Sequence, residues 1–171
     1  MSIYTKTGDK GTTTRYDGKR VPKNDFSVLI VGKLDNLMAS LDSAYVSVKS
    51  KKIRKIIDEV QDKLWQTAGE ISLGKPGKKI NKEIKHEDIE VLEKYIDEFS
   101  QKISYFVRFR TESSTRINEA RVRCRELEVP LTKYLKEGKV RPVVYQYINR
   151  LSDLLYVLAC EESKKELKKN K

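Results

Sequence analysis

The chain has 171 residues, of which 36% are charged and 38% hydrophobic, with 36 basic against 25 acidic side chains and a formal charge of +11. That length and composition fit one domain over residues 1–171 with a real buried core. No apolar run reaches the length of a membrane span and no secretory signal pattern is present, so a cytoplasmic protein with no membrane partner is expected.

Residues 4–25 concentrate Gly8, Gly11 and Gly18 among threonines and Lys6, Lys10, Arg15, Lys19, Arg20 and Lys23. Glycine lets backbone N–H groups turn toward a ligand, and hydroxyls and cations complete a cradle for phosphate. We read residues 1–24 as a nucleotide-binding loop. It lacks the glycine-lysine-threonine ending and the preceding strand of a Walker motif.

Five helices follow. Ile30, Leu34, Leu37, Leu41, Ala44 and Val48 form a helical stripe over about 25–49, and Ile53, Ile56, Ile57, Val60, Leu64, Ala68 and Ile71 another over about 51–73. Gly74, Pro76 and Gly77 stop the second. The third, about 85–101, aligns Ile89, Leu92, Ile96 and Phe99. Residues 103–110 are an aromatic connector or a short strand. The fourth helix starts near Thr111, carries Ile117, Ala120, Cys124, Leu127, Leu131 and Leu135, and ends at Gly138. Pro130 within it removes a backbone donor and predicts a kink or break. The fifth, about 141–163, starts near Pro142 and carries Val144, Ile148, Leu151, Leu155 and Leu158. Residues 164–171 are a basic frayed tail with five lysines against Glu166. The expected fold is all-α, a five-helix bundle of the ferritin-like or four-helix-bundle type with an N-terminal glycine-rich loop.

The positive charge concentrates in that tail and in the lysines of residues 74–82, without interleaved aromatics, so no nucleic-acid partner is expected. Cys124 and Cys160 have no metal-ligand spacing and read as buried thiols; no protein-bound metal is expected. Several polar residues sit beside or within the apolar stripes. Asp35 follows Leu34. Arg121 and Arg125 are one turn apart around Cys124, with Glu128 following. Asn149 and Asp153 repeat that spacing in the fifth helix. A buried arginine needs a partner, and Asp35 offers one; arginine also presents a planar fork to phosphate.

Taken together, these stretches resemble the PduO-type ATP:cob(I)alamin adenosyltransferases, or corrinoid adenosyltransferases. Tyr-Thr-Lys-Thr-Gly-Asp-Lys-Gly-Thr-Thr at 4–13 and Pro-Lys-Asn-Asp at 22–25 are similar to that family's nucleotide loop. Val-Gly-Lys-Leu-Asp-Asn-Leu at 31–37 resembles its first-helix motif, and Ala-Arg-Val-Arg-Cys-Arg-Glu-Leu-Glu at 120–128 its arginine helix. Residues 147–159, Tyr-Ile-Asn-Arg-Leu-Ser-Asp-Leu-Leu-Tyr-Val-Leu-Ala, resemble its last-helix signature.

The resemblance implies a homotrimer with interfacial sites that transfers the 5′-deoxyadenosyl group of ATP to the cobalt of cob(I)alamin, releasing triphosphate. It implies that Thr5, Lys6, Thr7, Gly8, Thr13 and Lys23 hold ATP, and that Arg125, Glu128 and Asn149 complete the site from the neighbouring subunit. Asp35 and Arg121 would pair across the interface, and with Arg125 and Asn149 make up the catalytic set. Mg2+ would be bound through the phosphates. Tyr105, Phe106 and Phe109 are the candidates for the apolar wall against the corrinoid. Here Val107-Arg108-Phe109-Arg110 replaces the Leu-Pro-Gly-Gly turn usual in the family. An electron-donating reductase and an adenosylcobalamin-dependent enzyme are the implied partners. The residues also leave open a non-catalytic ATP- or corrinoid-binding module.

Overall fold

The computed structural model describes residues 4, 6–73, 83–100 and 107–167. Five helices dominate: α1 (Phe26–Ser47), α2 (Lys51–Ser72), α3 (His86–Ser100), α4 (Glu112–Lys136) and α5 (Pro142–Leu167). The five-helix architecture follows the apolar stripes. Ile30, Leu34, Leu37, Leu41 and Ala44 of α1 are fully buried, as are Ile117, Ala120, Cys124, Leu127 and Leu131 of α4. α4 packs on both α1 and α5, α2 covers the other side of α1, and α3 lies on α5. Among the described residues no helix is long and apolar enough to cross a membrane.

The N-terminal stretch is more ordered than a simple loop. It folds into an antiparallel hairpin of β1 (Thr12–Thr14) and β2 (Arg20–Pro22), pairing Thr13 with Val21. Three β-branched threonines favour extended backbone. Gly18 closes the turn at φ +80°, a left-handed conformation that favours glycine. Asp17 accepts the Arg15 guanidinium at 2.6 Å and the Lys19 N–H at 3.1 Å, fixing the same turn.

Pro130 does not break α4, which runs continuously from Glu112 to Lys136. Proline costs a backbone hydrogen bond, but Leu127 and Leu131 on either side of it are fully buried. Tertiary packing therefore carries the helix across the local defect. The helix stops where expected, with Gly138 at φ +65°. Residues 107–110 have no regular structure, and the rest of the aromatic connector lies outside the described residues. α5 continues past residue 163, to Leu167.

One long-range clamp has no local sequence signal. Arg141, just before α5, donates from Nε and Nη2 to the two carboxylate oxygens of Glu70 near the end of α2, each at 2.7 Å. Its Nη2 also donates to the Ile84 carbonyl at 3.1 Å. Glu70 is buried, and its fork-to-fork partner compensates the lost hydration.

Asp25 starts α1. Its carboxylate accepts the Ser27 N–H at 2.9 Å and the Ser27 hydroxyl, which together hold it below the usual carboxylate range. Asp25→Ala should cost about 1 kcal/mol in urea unfolding at pH 7, the worth of a typical N-cap. Because the folded-state carboxyl is the more acidic, this contribution is present above the unfolded aspartate value of about 3.9 and fades as pH falls below it. The gap between the two proteins should therefore narrow in the same titration at pH 3.

Candidate functional site

In the N-terminal half, Gly8 sits where a Cβ would lie 3.4 Å from the Lys23 Nζ and 3.5 Å from the Thr12 carbonyl oxygen. The Lys23 ammonium thus lies against the backbone of the loop at Gly8. Lys23 is anchored by its own N–H, which donates to the Gly11 carbonyl at 2.8 Å. The Arg20 guanidinium donates to the Thr7 carbonyl at 2.5 Å and to the Thr12 hydroxyl, joining the loop to the hairpin. Lys6 has a positive φ of 58° and its ammonium stands 5.9 Å from the centre of the Tyr4 ring. Thr13 lies on β1 and lines a groove with Arg15, Tyr16, Ser27, Val28 and Ser72. The structure therefore brings together Thr7, Gly8 and Lys23, with Thr13 beside them. Thr5 lies outside the described residues.

In the C-terminal half, the Asn149 amide Nδ2 donates to Glu128 Oε1 at 2.7 Å, linking α5 to α4. Glu128 shares an open groove on α4 with Arg121, Val122, Arg125 and Thr132. Four arginines of α4 have different circumstances. Arg116 approaches Glu112, Arg121 donates to Asn118 at 2.9 Å, and Arg123 is held by Glu126 at 3.2 Å. Arg125 is exposed and has no hydrogen bond or ion pair among the described residues. Its planar fork is free for an incoming anion.

The polar residues of the arginine and asparagine motifs are not in the bundle core. Arg125, Asp35 and Asp153 are exposed, and Arg121, Glu128 and Asn149 half-buried. The reason is helical geometry. Cys124 and Leu127 take the buried face of α4, so Arg121, Arg125 and Glu128 emerge along its edge. Asp35 likewise stands on the outer side of α1, away from Leu34 and Leu37, and makes no pair with Arg121 within the chain. Arg121 instead stands 5.8 Å from the Tyr156 ring centre, and Phe109 packs edge-on against Tyr156 at 6.1 Å. Tyr105 and Phe106 lie outside the described residues. Asp153 is taken by Arg150 at 2.9 Å.

No hydrogen bond or ion pair joins the N-terminal loop to Arg125, Glu128 or Asn149 among the described residues. Nor do those residues contain a cluster of three His, Cys, Asp or Glu side chains able to hold a metal ion. The only histidine, His86, is exposed at the start of α3. Two neighbours of the Glu128–Asn149 pair escape a motif reading. Tyr145 Oη lies 3.4 Å from Glu128 Oε1 and 3.3 Å from the Thr132 hydroxyl, and Thr132 donates to the Glu128 carbonyl at 3.3 Å. Their one signal is spacing: Tyr145 is one turn before Asn149, and Thr132 one turn after Glu128.

With helices and motif residues in these positions, the chain belongs to the cobalamin adenosyltransferase family, whose model matches residues 3–162. It is 36% identical over 167 residues to the corrinoid adenosyltransferase PduO of Citrobacter freundii, covering 95% of this chain and 50% of that protein. It thus spans about half the length of the PduO relatives it matches. A shorter corrinoid adenosyltransferase of the same organism is 32% identical, with 92% of each chain covered. The fold is that of a variant PduO-type ATP:corrinoid adenosyltransferase from Lactobacillus reuteri, solved with cobalamin and ATP. The TM-score is 0.88 at 24% identity, covering 97% of this chain and 93% of that one.

Cys124 lies between the two arginines yet faces inward, its thiol 3.3 Å from the Ile148 carbonyl. Burial, reinforced by the Glu128 charge, pushes that thiol up, well above the ordinary cysteine range. It is a core group and no nucleophile. Iodoacetamide at pH 8 should leave Cys124 unlabelled in the native protein and label it in guanidinium, as read by peptide mass spectrometry.

Proposed function

We propose that this protein transfers the 5′-deoxyadenosyl group of ATP to the cobalt of cob(I)alamin, giving adenosylcobalamin and triphosphate. The observation that carries the reading is family membership across residues 3–162. The free Arg125 beside the Glu128–Asn149 pair supports it further. Reduced cobalt is itself the nucleophile: its electron pair forms the cobalt–C5′ bond as the C5′–oxygen bond to triphosphate breaks. Such a reaction asks the protein for no general base and no covalent intermediate. It asks for alignment of C5′ with cobalt and for positive charge at the departing triphosphate. Lys6, Lys23 and Arg125 supply that charge, while Thr5, Thr7, Gly8 and Thr13 shape the loop around the nucleotide. A magnesium ion bridging the phosphates would share the neutralisation.

The exposure of Arg125 and Asp35 on the outer faces of α4 and α1 supports a site completed by a second subunit. In a homotrimer the loop of one subunit would meet Arg125, Glu128 and Asn149 of its neighbour. The exposed Asp35 would then have Arg121 across the interface as a partner. Phe109, with Tyr105 and Phe106, would face the corrinoid as an apolar wall. The protein would work in the cytoplasm, taking its reduced cobalt from an electron-donating reductase and passing adenosylcobalamin to an enzyme that uses it.

Arg125→Ala and Asn149→Ala should each lower adenosyl transfer by about a hundredfold or more, the scale set by loss of one charge-stabilising group. Their circular dichroism melting curves should stay close to wild type. The check is an anaerobic spectrophotometric assay with ATP, magnesium and chemically reduced cob(I)alamin. Wild-type rates in both variants would overturn the site. Retained ATP binding without transfer in the unmodified protein would favour a non-catalytic binding module.

A further inference from the structure

We infer that the cleft between α2, α3 and α5 is a binding site for a compact apolar molecule carrying one hydroxyl group. The cleft has a volume of about 360 Å³ and shares no residue with the N-terminal loop or the Arg125 groove. It arises because α2 packs on α1 and α3 on α5, while polar side chains span the seam between α2 and α3. Lys63 Nζ meets Asp88 Oδ1 at 2.7 Å, the Tyr95 hydroxyl donates to Glu59 Oε2 at 2.9 Å, and Lys52 reaches Glu98. Inward of these bridges Ile56, Val60, Leu92 and Tyr147 form a floor, each at most 3% exposed.

Tyr147 is the residue that points to a ligand. It is 1% exposed and lines the cleft, yet its hydroxyl has no hydrogen-bond partner among the described residues. Buried hydroxyls are nearly always paired, and one without a partner carries a desolvation cost. Burial, with the Asp88 charge adding to it, holds this phenol protonated well above its ordinary range, so it stays a donor. A ligand must therefore offer Tyr147 an acceptor. Glu59 and Asp88 line the same cleft with Lys63 as their counter-charge, so the ligand also meets carboxylate acceptors. A hydroxyl both accepts and donates. A carboxylate would be repelled by Glu59 and Asp88, and an ammonium has no acceptor for Tyr147. Volume sets the size of the apolar body. A cavity of about 150 Å³ holds benzene, so this cleft has room for two fused rings.

The test titrates the full chain with 2-naphthol, naphthalene and 2-naphthoate at pH 7, following backbone amide shifts by NMR. Wild type should bind 2-naphthol about fivefold more tightly than naphthalene, the worth of about one net hydrogen bond. The shifts should centre on Val91, Leu92 and Tyr147, and 2-naphthoate should bind at least about tenfold more weakly than 2-naphthol. Val91 lines the cleft and is 41% exposed, so Val91→Trp should fold and fill it, weakening 2-naphthol by about tenfold or more. Tyr147→Phe keeps the shape of the floor and should bind 2-naphthol and naphthalene within about twofold of each other. Without ligand its melting temperature should be no lower than that of wild type, because no internal hydrogen bond is lost. A clear drop would mean that the hydroxyl is already paired within the protein, and the inference would fall. Equal wild-type affinity for 2-naphthol and naphthalene, shifts centred elsewhere, or undiminished binding by Val91→Trp would each overturn it. Absence of binding would leave the cleft to water and overturn it too. None of these readouts involves adenosyl transfer, so the proposed reaction stands or falls separately.

Discussion

α4 has apolar neighbours on two sides, and this constraint decides where its chemistry can stand. With α1 against one flank and α5 against the other, Ile117, Ala120, Cys124, Leu127 and Leu131 must all be apolar and inward. Polar side chains on α4 must therefore stand outside this buried stripe. Arg121, Arg125 and Glu128 occupy the edge of that remainder, close enough to α5 for Glu128 to capture Asn149. The same packing holds the helix together through Pro130. Rigid elements thus position the C-terminal polar residues, whereas the N-terminal ones depend on a small hairpin and its turns.

That division also shapes the electrostatics. Arg116 and Arg123 each stand beside a carboxylate of their own helix, Glu112 and Glu126, while Arg121 is held by the neutral Asn118 amide. Arg125 keeps its fork free. A guanidinium meets an anion with a planar, pre-organised fork, so less side-chain entropy is lost per hydrogen bond formed than with a lysine ammonium. The basic character of the chain as a whole says much less about binding than this one residue does.

Much of the architecture was legible in the sequence because apolar periodicity reports helices directly. The stripes of α1, α2, α4 and α5 are the buried faces, and Gly138 ends α4 as a left-handed cap. The arginine and asparagine motifs were legible as residues but not as places. Their proximity to apolar positions suggested a buried polar set, whereas the helical phase of Arg125 and Asp35 turns them outward. The hairpin at Thr12–Thr14 escaped because three-residue strands carry too little alternation to stand out from a polar loop. Pro130 misled because a local rule was outweighed by burial on both sides. Glu70 and Arg141 escaped altogether, since no local pattern announces a pairing across such a separation.

That last pairing has an evolutionary corollary. One guanidinium gathers the end of α2, the Ile84 carbonyl at the approach to α3, and the start of α5. The ends of the stretch between Leu73 and Glu83 are therefore tethered independently of what joins them. Loop closure costs grow only slowly with chain length. Natural variants can accordingly lengthen, shorten or recompose this connection while the helices that carry Glu128 and Asn149 keep their register.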